Sequence, residues 1–453
     1  MSSCAKGRFA RPLLLYGALL LPATLTAKEP EVVVDPVLID AQKSVSAQRL
    51  KTDDTTLVSF GTRNVYSEDQ PHHGINAARD WIKMQFEEAA AHSGGRMSVS
   101  VDSWVEPANG KRISRDVTLS NVYAVLKGSE ASSRTYVISG HYDTINSVNK
   151  DYSDSTYDAP GADDDGSGVM VVLAAARALA TLQPRATIIF AAYSSEEQGL
   201  LGSAHHAGAL KAAGIDVQGD LNNDIVGASV GPKGEKNPNT LRIFSEGLRN
   251  PDQPKYRSAG AENDSPSREL ARYAREIGDK ATPPMHGDMI YRADRYLRGG
   301  DHMSFNDADF AAIRFVEPVE DFAHQHQEVR LDNGVQYGDL LQYMDFDYLA
   351  RVARYNIAVL GSLAMAPAAP RNAAIVVKKL SNDTELVWSP VSGAVRYQIV
   401  MRPTREPFWT DEFDAGSATS ATVEISKDST LFGVVAIDAE GHRSPAAFPS
   451  PKR

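Results

Sequence analysis

Five short segments carry side chains able to hold a divalent cation: His141-Tyr142-Asp143, the acidic loop Gly161-Ala162-Asp163-Asp164-Asp165-Gly166-Ser167-Gly168, Ser195-Glu196-Glu197, Asp224 in Leu221-Asn222-Asn223-Asp224, and Ala323-His324-Gln325-His326. Carboxylates and imidazoles that converge without a cationic counter-cluster repel one another unless a cation neutralises them, and this many acids suit two metal ions better than one. Taken singly, each segment is more often a solvated turn than a ligand set; their order and placement at strand ends change that reading. The only cysteine is Cys4, which leaves neither a disulfide framework nor a Cys-ligated zinc or iron–sulfur site. Any metal must therefore be held by His, Asp and Glu.

The elements that must position these side chains are legible as alternating patterns. Residues 120–128 and 134–144, 186–195, 219–228, 241–246 and 311–318 are β-branched and aromatic runs. Helical spacing appears at 77–92, 166–182, 199–213 and 266–278, with a long helical stretch around 338–364. Near-continuous apolar strands separated by helices predict an α/β domain with a doubly wound, mostly parallel sheet buried on both faces. Each cation-binding segment but the last directly follows a predicted strand. In an open α/β sheet the carboxyl ends of the strands form the ligand crevice, so these loops are expected to converge.

A Pro/Ala linker at 364–374 separates this pattern from a different one. Beyond it TELVWSPV, VRYQIVMR, TSATVEIS and TLFGVVAID read as short strands between turns, with no helical segment among them. A small all-β sandwich is predicted, and Trp388 and Tyr397 resemble the core residues of a fibronectin type III module. At the other end, Lys6, Arg8 and Arg11 precede the apolar run Leu13–Leu21, and small residues close it near Ala27. This reads as a secretory signal cleaved around Ala27–Lys28, too short for a membrane span. The expected division is a signal over 1–27, a catalytic domain over 28–366 and a β module over 367–453. The product would be secreted or periplasmic and free of cysteine.

The chain has 453 residues, 42% of them hydrophobic and 23% charged, an ordinary globular composition. Its formal charge of −11 argues against a nucleic-acid footprint. The sequence Gly227-Ala228-Ser229-Val230-Gly231 matches the G-x-S-x-G nucleophile elbow, but an elbow needs a helix next, and residues 232–239 supply two prolines and a glycine. A serine nucleophile is therefore rejected.

Residues from about 118 to 330 resemble the M28 family of co-catalytic di-zinc aminopeptidases through SGHYDT (139–144), PGADDDGSG (160–168), YSSEEQGLLGS (193–203), LNND (221–224) and the HQ pair at 324–325. The resemblance implies two Zn2+ per chain. His141 would ligate one, Asp164 would bridge both, Asp224 would complete the His141 metal, and Glu197 with a late histidine would hold the other. His324 is that late histidine by spacing, with Phe322 before it and Glu328 after it; Ala323 stands where the family has an aromatic, and His326 is the alternative. Glu196 would be the general base that makes a zinc-bound hydroxide, and Asp143 would orient His141. Peptides with a free amino terminus would be the substrates. A carboxypeptidase or dipeptidase is the alternative, with Arg292, Arg295 and Arg298 as a source of positive charge; a metal-free binding scaffold is disfavoured by the complete ligand set. Asp301-His302 resembles a family segment near the site and is expected to support it, while His72-His73 and His205-His206 read as solvated pairs.

Overall fold

The computed structural model describes residues 1, 32–67, 72–132, 134–148, 154–249, 263–378 and 380–452. The predicted signal and Cys4 lie outside these residues, apart from Met1. The amino-terminal part contributes α1 (Pro36–Gln42), α2 (Ala47–Val58), α3 (Gly74–Ala91) and β1 (Met97–Glu106). There follow β2 (Val117–Leu126), β3 (Arg134–His141), α4 (Gly166–Leu179), β4 (Thr187–Tyr193), α5 (Leu201–Ala212), β5 (Asp216–Asn223) and β6 (Thr240–Ser245). Next come α6 (Pro266–Ala281), β7 (His286–Ile290), α7 (His302–Asp307), β8 (Ala312–Val316), the small hairpin β9 (Arg330–Asp332) and β10 (Val335–Tyr337), and α8 (Phe346–Met365).

One eight-stranded sheet runs β1-β2-β4-β3-β5-β8-β6-β7. Its centre, β4-β3-β5-β8, is parallel, whereas β1-β2, β2-β4 and β8-β6 pair antiparallel. Alternate residues of β3 face different cores: Tyr136 and Ile138 pack with α4 and α8, and Val137 packs with the side chains of α5 and α7. All eight residues of β3 are buried, which is why its sequence shows no polar alternation. Helix α8 is largely internal, with Leu349, Val352, Ile357 and Leu360 wholly buried; each such side chain contributes about 1.5–3 kcal/mol of transfer free energy.

Beyond α8 the chain forms β11 (Ala374–Val376), β12 (Thr384–Val387), β13 (Arg396–Pro403), β14 (Asp411–Gly416), β15 (Ser420–Val423), β16 (Thr430–Ile437) and β17 (Ser450–Lys452). The sheets β15-β12-β11-β17 and β14-β13-β16 share one core that includes Leu386, Trp388, Tyr397, Ile399 and Val434. They therefore pack face to face as a sandwich. The sandwich docks on α6: Asp264 accepts from both Arg272 (2.7 Å) and Arg402 (2.5 Å), and Glu269 Oε1 accepts from the Ala446 amide (3.0 Å) and the Trp409 indole (3.3 Å).

Candidate metal centre

The four central parallel strands place their carboxyl ends along one edge, and each end delivers a polar group to the same point. His141 is the last residue of β3; Glu196 and Glu197 follow β4, Asp224 follows β5, and the loop after β8 carries His326. The Asp163-Asp164-Asp165 loop enters from the start of α4, with the Asp164–Asp165 peptide bond cis. Asp165 ties the strands together. Its Oδ2 accepts from the His141 amide (3.0 Å), and its Oδ1 caps α4 at Gly168 (2.9 Å) and takes the Ile225 amide (3.3 Å). Gly168 is required by this crowding: a Cβ there would stand 2.2 Å from the Asn223 carbonyl oxygen.

Two sets of candidate ligands share Asp164. One is His141, Asp164 and Asp224; the other is Asp164, Glu197 and His326. The His141 Nε2 lies 3.1 Å from Asp164 Oδ1, and the His326 Nε2 lies 2.8 Å from Asp164 Oδ2 and 2.9 Å from Glu197 Oε1. Despite that proximity, His141 Nε2 and Glu197 Oε1 are buried without a hydrogen bond of acceptable angle. Donor atoms that lie within 4.8 Å of one another in each set, some of them buried without a hydrogen-bond partner, fit a divalent cation, and an all-N/O donor set fits zinc.

Of the two late histidines, the structure brings His326 rather than the expected His324 into a candidate set. His324 stacks on Tyr343 (centroids 3.5 Å apart) with Asp321 3.5 Å from its Nδ1, away from both sets. The loop from Asp321 turns through His324 and reaches His326 in the left-handed region (φ 51°), which swings the later ring inward. Gln325 between them donates to Asp164 Oδ2 (3.1 Å). Glu328 is likewise outside the cluster.

Asp143 holds the constellation from beneath. Its Oδ1 lies 3.6 Å from His141 Nδ1 and accepts the Glu196 amide (3.1 Å), while its Oδ2 accepts the Glu197 amide (3.2 Å). Ser195 supplies the sharp turn with φ 63°. Desolvation opposes the charged forms throughout. For His141 it is outweighed by Asp143 and Asp164, and for His326 by Glu197 and Asp164, so both rings are held well above the ordinary histidine range. The same two histidines hold Asp164 well below the carboxylate range despite its burial. Desolvation, reinforced by Glu197, Asp224 and Asp301, lifts Glu196 well above its usual range against the attraction of His141.

Several supporting residues lie outside the motifs. Arg314, fully buried in β8, pairs with Asp224 (2.7 Å) and with Asp294 (3.1 Å). His302 joins the same Asp294 at 3.5 Å, which accounts for the supporting part expected of the Asp301-His302 segment. Asp301 itself is buried and pushed up to about 7 by that burial. Asp339 accepts the amides of Asp163 (2.8 Å) and Asp164 (2.7 Å), and the buried Arg63 donates to the carbonyls of Tyr142 (2.6 Å) and Gly161 (2.9 Å). An arginine inside the apolar run AAIRFVEP is the one signal the sequence offers for these supports; Asp339 and Arg63 carry none. Among the expected surface pairs, His72 and His73 are exposed, but His206 is 6% exposed and bonded to the Tyr193 hydroxyl at 2.8 Å, a core residue. Ser229 is buried and donates to Asp345 (2.6 Å), in keeping with its rejection as a nucleophile.

Comparison with known proteins comes to the same chemistry. A model of peptidase family M28 matches residues 121–337. A probable zinc metalloprotease of Leptosphaeria maculans is 45% identical over 421 residues, covering 90% of this chain and 96% of its own. One from Pyricularia oryzae is 43% identical over 464 residues, covering 100% and 90%. Among solved structures, the Legionella pneumophila LapA aminopeptidase superposes with a TM-score of 0.53 at 20% identity, over 74% of this chain and 78% of its own; this likeness concerns the fold. With relatives this similar over nearly their whole length, the chain belongs to peptidase family M28 and is a zinc metallopeptidase.

Proposed function

We propose that the protein is an exported aminopeptidase that holds two zinc ions and removes amino-terminal residues from peptides. The observation that carries this reading is the pair of donor sets sharing Asp164, with Glu196 beside them. His141 and Asp224 would hold one ion, Glu197 and His326 the other, and Asp164, common to both sets, would serve both. Zinc, when bound, supplies Lewis acidity: it polarises a carbonyl and lowers the pKa of a water from about 15.7 to about 7.

The chain's own residues do the rest. Glu196 makes no side-chain hydrogen bond among the described residues, and its carboxylate, its proton affinity raised by burial, takes a proton from the attacking water and returns it to the departing amine. Asp143 holds the Glu196–Glu197 turn through its carboxylate and His141 through its backbone carbonyl oxygen, 3.2 Å from Nδ1, and Arg314 holds Asp224. A free α-ammonium group of the substrate is attracted to the acid-lined cavity of about 370 Å³ that meets the cluster at Asp164 and contains Asp321, Asp339 and Asp345.

Export is supported by the basic, apolar and small-residue succession at the amino terminus. The division at about residue 366 is supported by the end of α8 at Met365, and a fibronectin type III-like module by the packing of Trp388 on Tyr397 (centroids 5.6 Å apart). Neither of these two cavities at the cluster is lined by a sandwich residue. The direct test compares aminoacyl chromogenic amides with N-acetylated and C-terminally blocked peptides. Free-amine substrates, C-blocked ones included, should be cleaved and N-acetylated ones spared; cleavage of the N-acetylated peptides would sink the aminopeptidase reading.

A further inference from the structure

The cleft at the metal cluster has two lobes, both with acids in their walls (Asp164, Glu196, Glu197 and Asp224 in the second), which differ in that the second also carries arginines. The acid-lined cavity described above contains no lysine or arginine in its wall. The second lobe, of about 410 Å³, holds Glu196 and is walled by Arg112, Arg295 and Arg298 together with Leu200 and Met303. The lobes meet at Asp164, Ile225 and Gln325.

We propose that this second lobe is a carboxylate subsite on the leaving side of the scissile bond, with Arg298 as the pairing group. Preferred substrates are then short peptides that carry a carboxylate on the residue directly after the cleaved bond. The assignment rests on the aminopeptidase reading and adds the substrate class to it.

The side of the bond follows from the proton. Glu196 must return its proton to the departing amine, and Glu196 lines only the arginine lobe of the two, so the leaving residue occupies that lobe. The charge follows from a count of partners. Glu320 is the shared acceptor of three arginines: Arg242 at 3.0 Å, Arg295 at 2.7 Å and Arg298 at 3.0 Å. Glu320 and Asp294, which also pairs with Arg295, leave Arg298 with a single shared acceptor, and Arg295, Arg314, Arg298 and Arg242 together hold Glu320 below the usual carboxylate range against its burial.

Arg295 is fully engaged, since its Nε also donates to Asp294 (2.9 Å) and its Nη2 to the Gly299 carbonyl (3.0 Å). Arg298 spends one nitrogen on Glu320 and its side chain is 30% exposed in the lobe. The Phe322 ring, 5.4 Å from its guanidinium carbon, limits how that plane turns. A planar fork anchored at one nitrogen and open at the others suits a carboxylate. That carboxylate can be the C-terminus of a dipeptide or the side chain of an acidic second residue.

The test uses the zinc-loaded full chain and four substrates: Leu-Gly, Leu-Gly-NH2, Leu-Asp-NH2 and N-acetyl-Leu-Gly. One partly exposed charge-assisted pair predicts kcat/KM about tenfold higher for a carboxylate-bearing substrate than for Leu-Gly-NH2, chiefly through KM. A preference for Leu-Gly assigns the terminal carboxylate as the source, and one for Leu-Asp-NH2 assigns the side chain. In Arg298→Gln the ratio should fall to about one. Equal kcat/KM for the three free-amine substrates in the parent enzyme overturns the subsite without touching the aminopeptidase reading, as does a ratio unchanged by Arg298→Gln. Hydrolysis of N-acetyl-Leu-Gly alone overturns the aminopeptidase reading and the subsite with it.

Discussion

Replacing Glu196 by glutamine is expected to lower kcat by about 100- to 10,000-fold while the zinc content stays that of the parent, because a general base contributes on that order. The amide keeps the size and shape of the carboxylate, and the turn at Ser195–Glu197 is fixed through backbone amides on Asp143 rather than through the Glu196 side chain. What is lost is the ability to hold a proton between the attacking water and the departing amine. The surroundings of the acid suit it to that role, since desolvation and the repulsion of Glu197, Asp224 and Asp301 bring its proton affinity up against the attraction of His141. Turnover by the glutamine variant at the parent rate would remove Glu196 as the base and leave the cluster without a proton carrier.

The second large effect separates two histidines that lie two residues apart. His326→Ala should lose about one zinc per chain and most activity, since the imidazole that touches both Asp164 and Glu197 is gone. The loss should exceed the 10- to 100-fold in metal affinity typical when only an outer partner of a ligand is removed. His324→Ala forfeits a stack on Tyr343 at a partly exposed position, an aromatic contact of about 0.5–1.5 kcal/mol, and should retain its zinc. Metal analysis and kcat/KM of the two variants side by side check this; the reverse pattern would restore His324 as the ligand.

That pair also marks the limit of what the sequence reveals. The central strands are legible because burial on both faces leaves β3 and β4 without polar alternation, and once strands are known the loops at their carboxyl ends must converge. The same logic brings His141, Asp164, Glu197 and Asp224 together. It fails after β8, where the loop is irregular and the left-handed backbone at His326 sets the direction of the ring; spacing in sequence says nothing about such a turn. The segments α1, α2 and β1 escape the pattern for a different reason. Helix α2, AQRLKTDDTTLV, buries Asp53 and Asp54 beside Leu50 and Leu57, so its inward face has no apolar stripe to read. His206 departs from the expected solvated pair because only its neighbour His205, partly exposed against Trp104, points outward, and the two look alike only in one dimension. Arg63, Asp339 and Arg314 act from residues far apart in sequence, and their role exists only once the loops have met.

The central claim is that this one cluster holds two ions through a shared Asp164. The most direct measurement is the zinc content of the purified full chain against its protein concentration, with activity followed as zinc is withdrawn by a chelator and returned. About two zinc per chain at full activity, and loss of activity on their removal, are expected. Full activity with one zinc or none would contradict it.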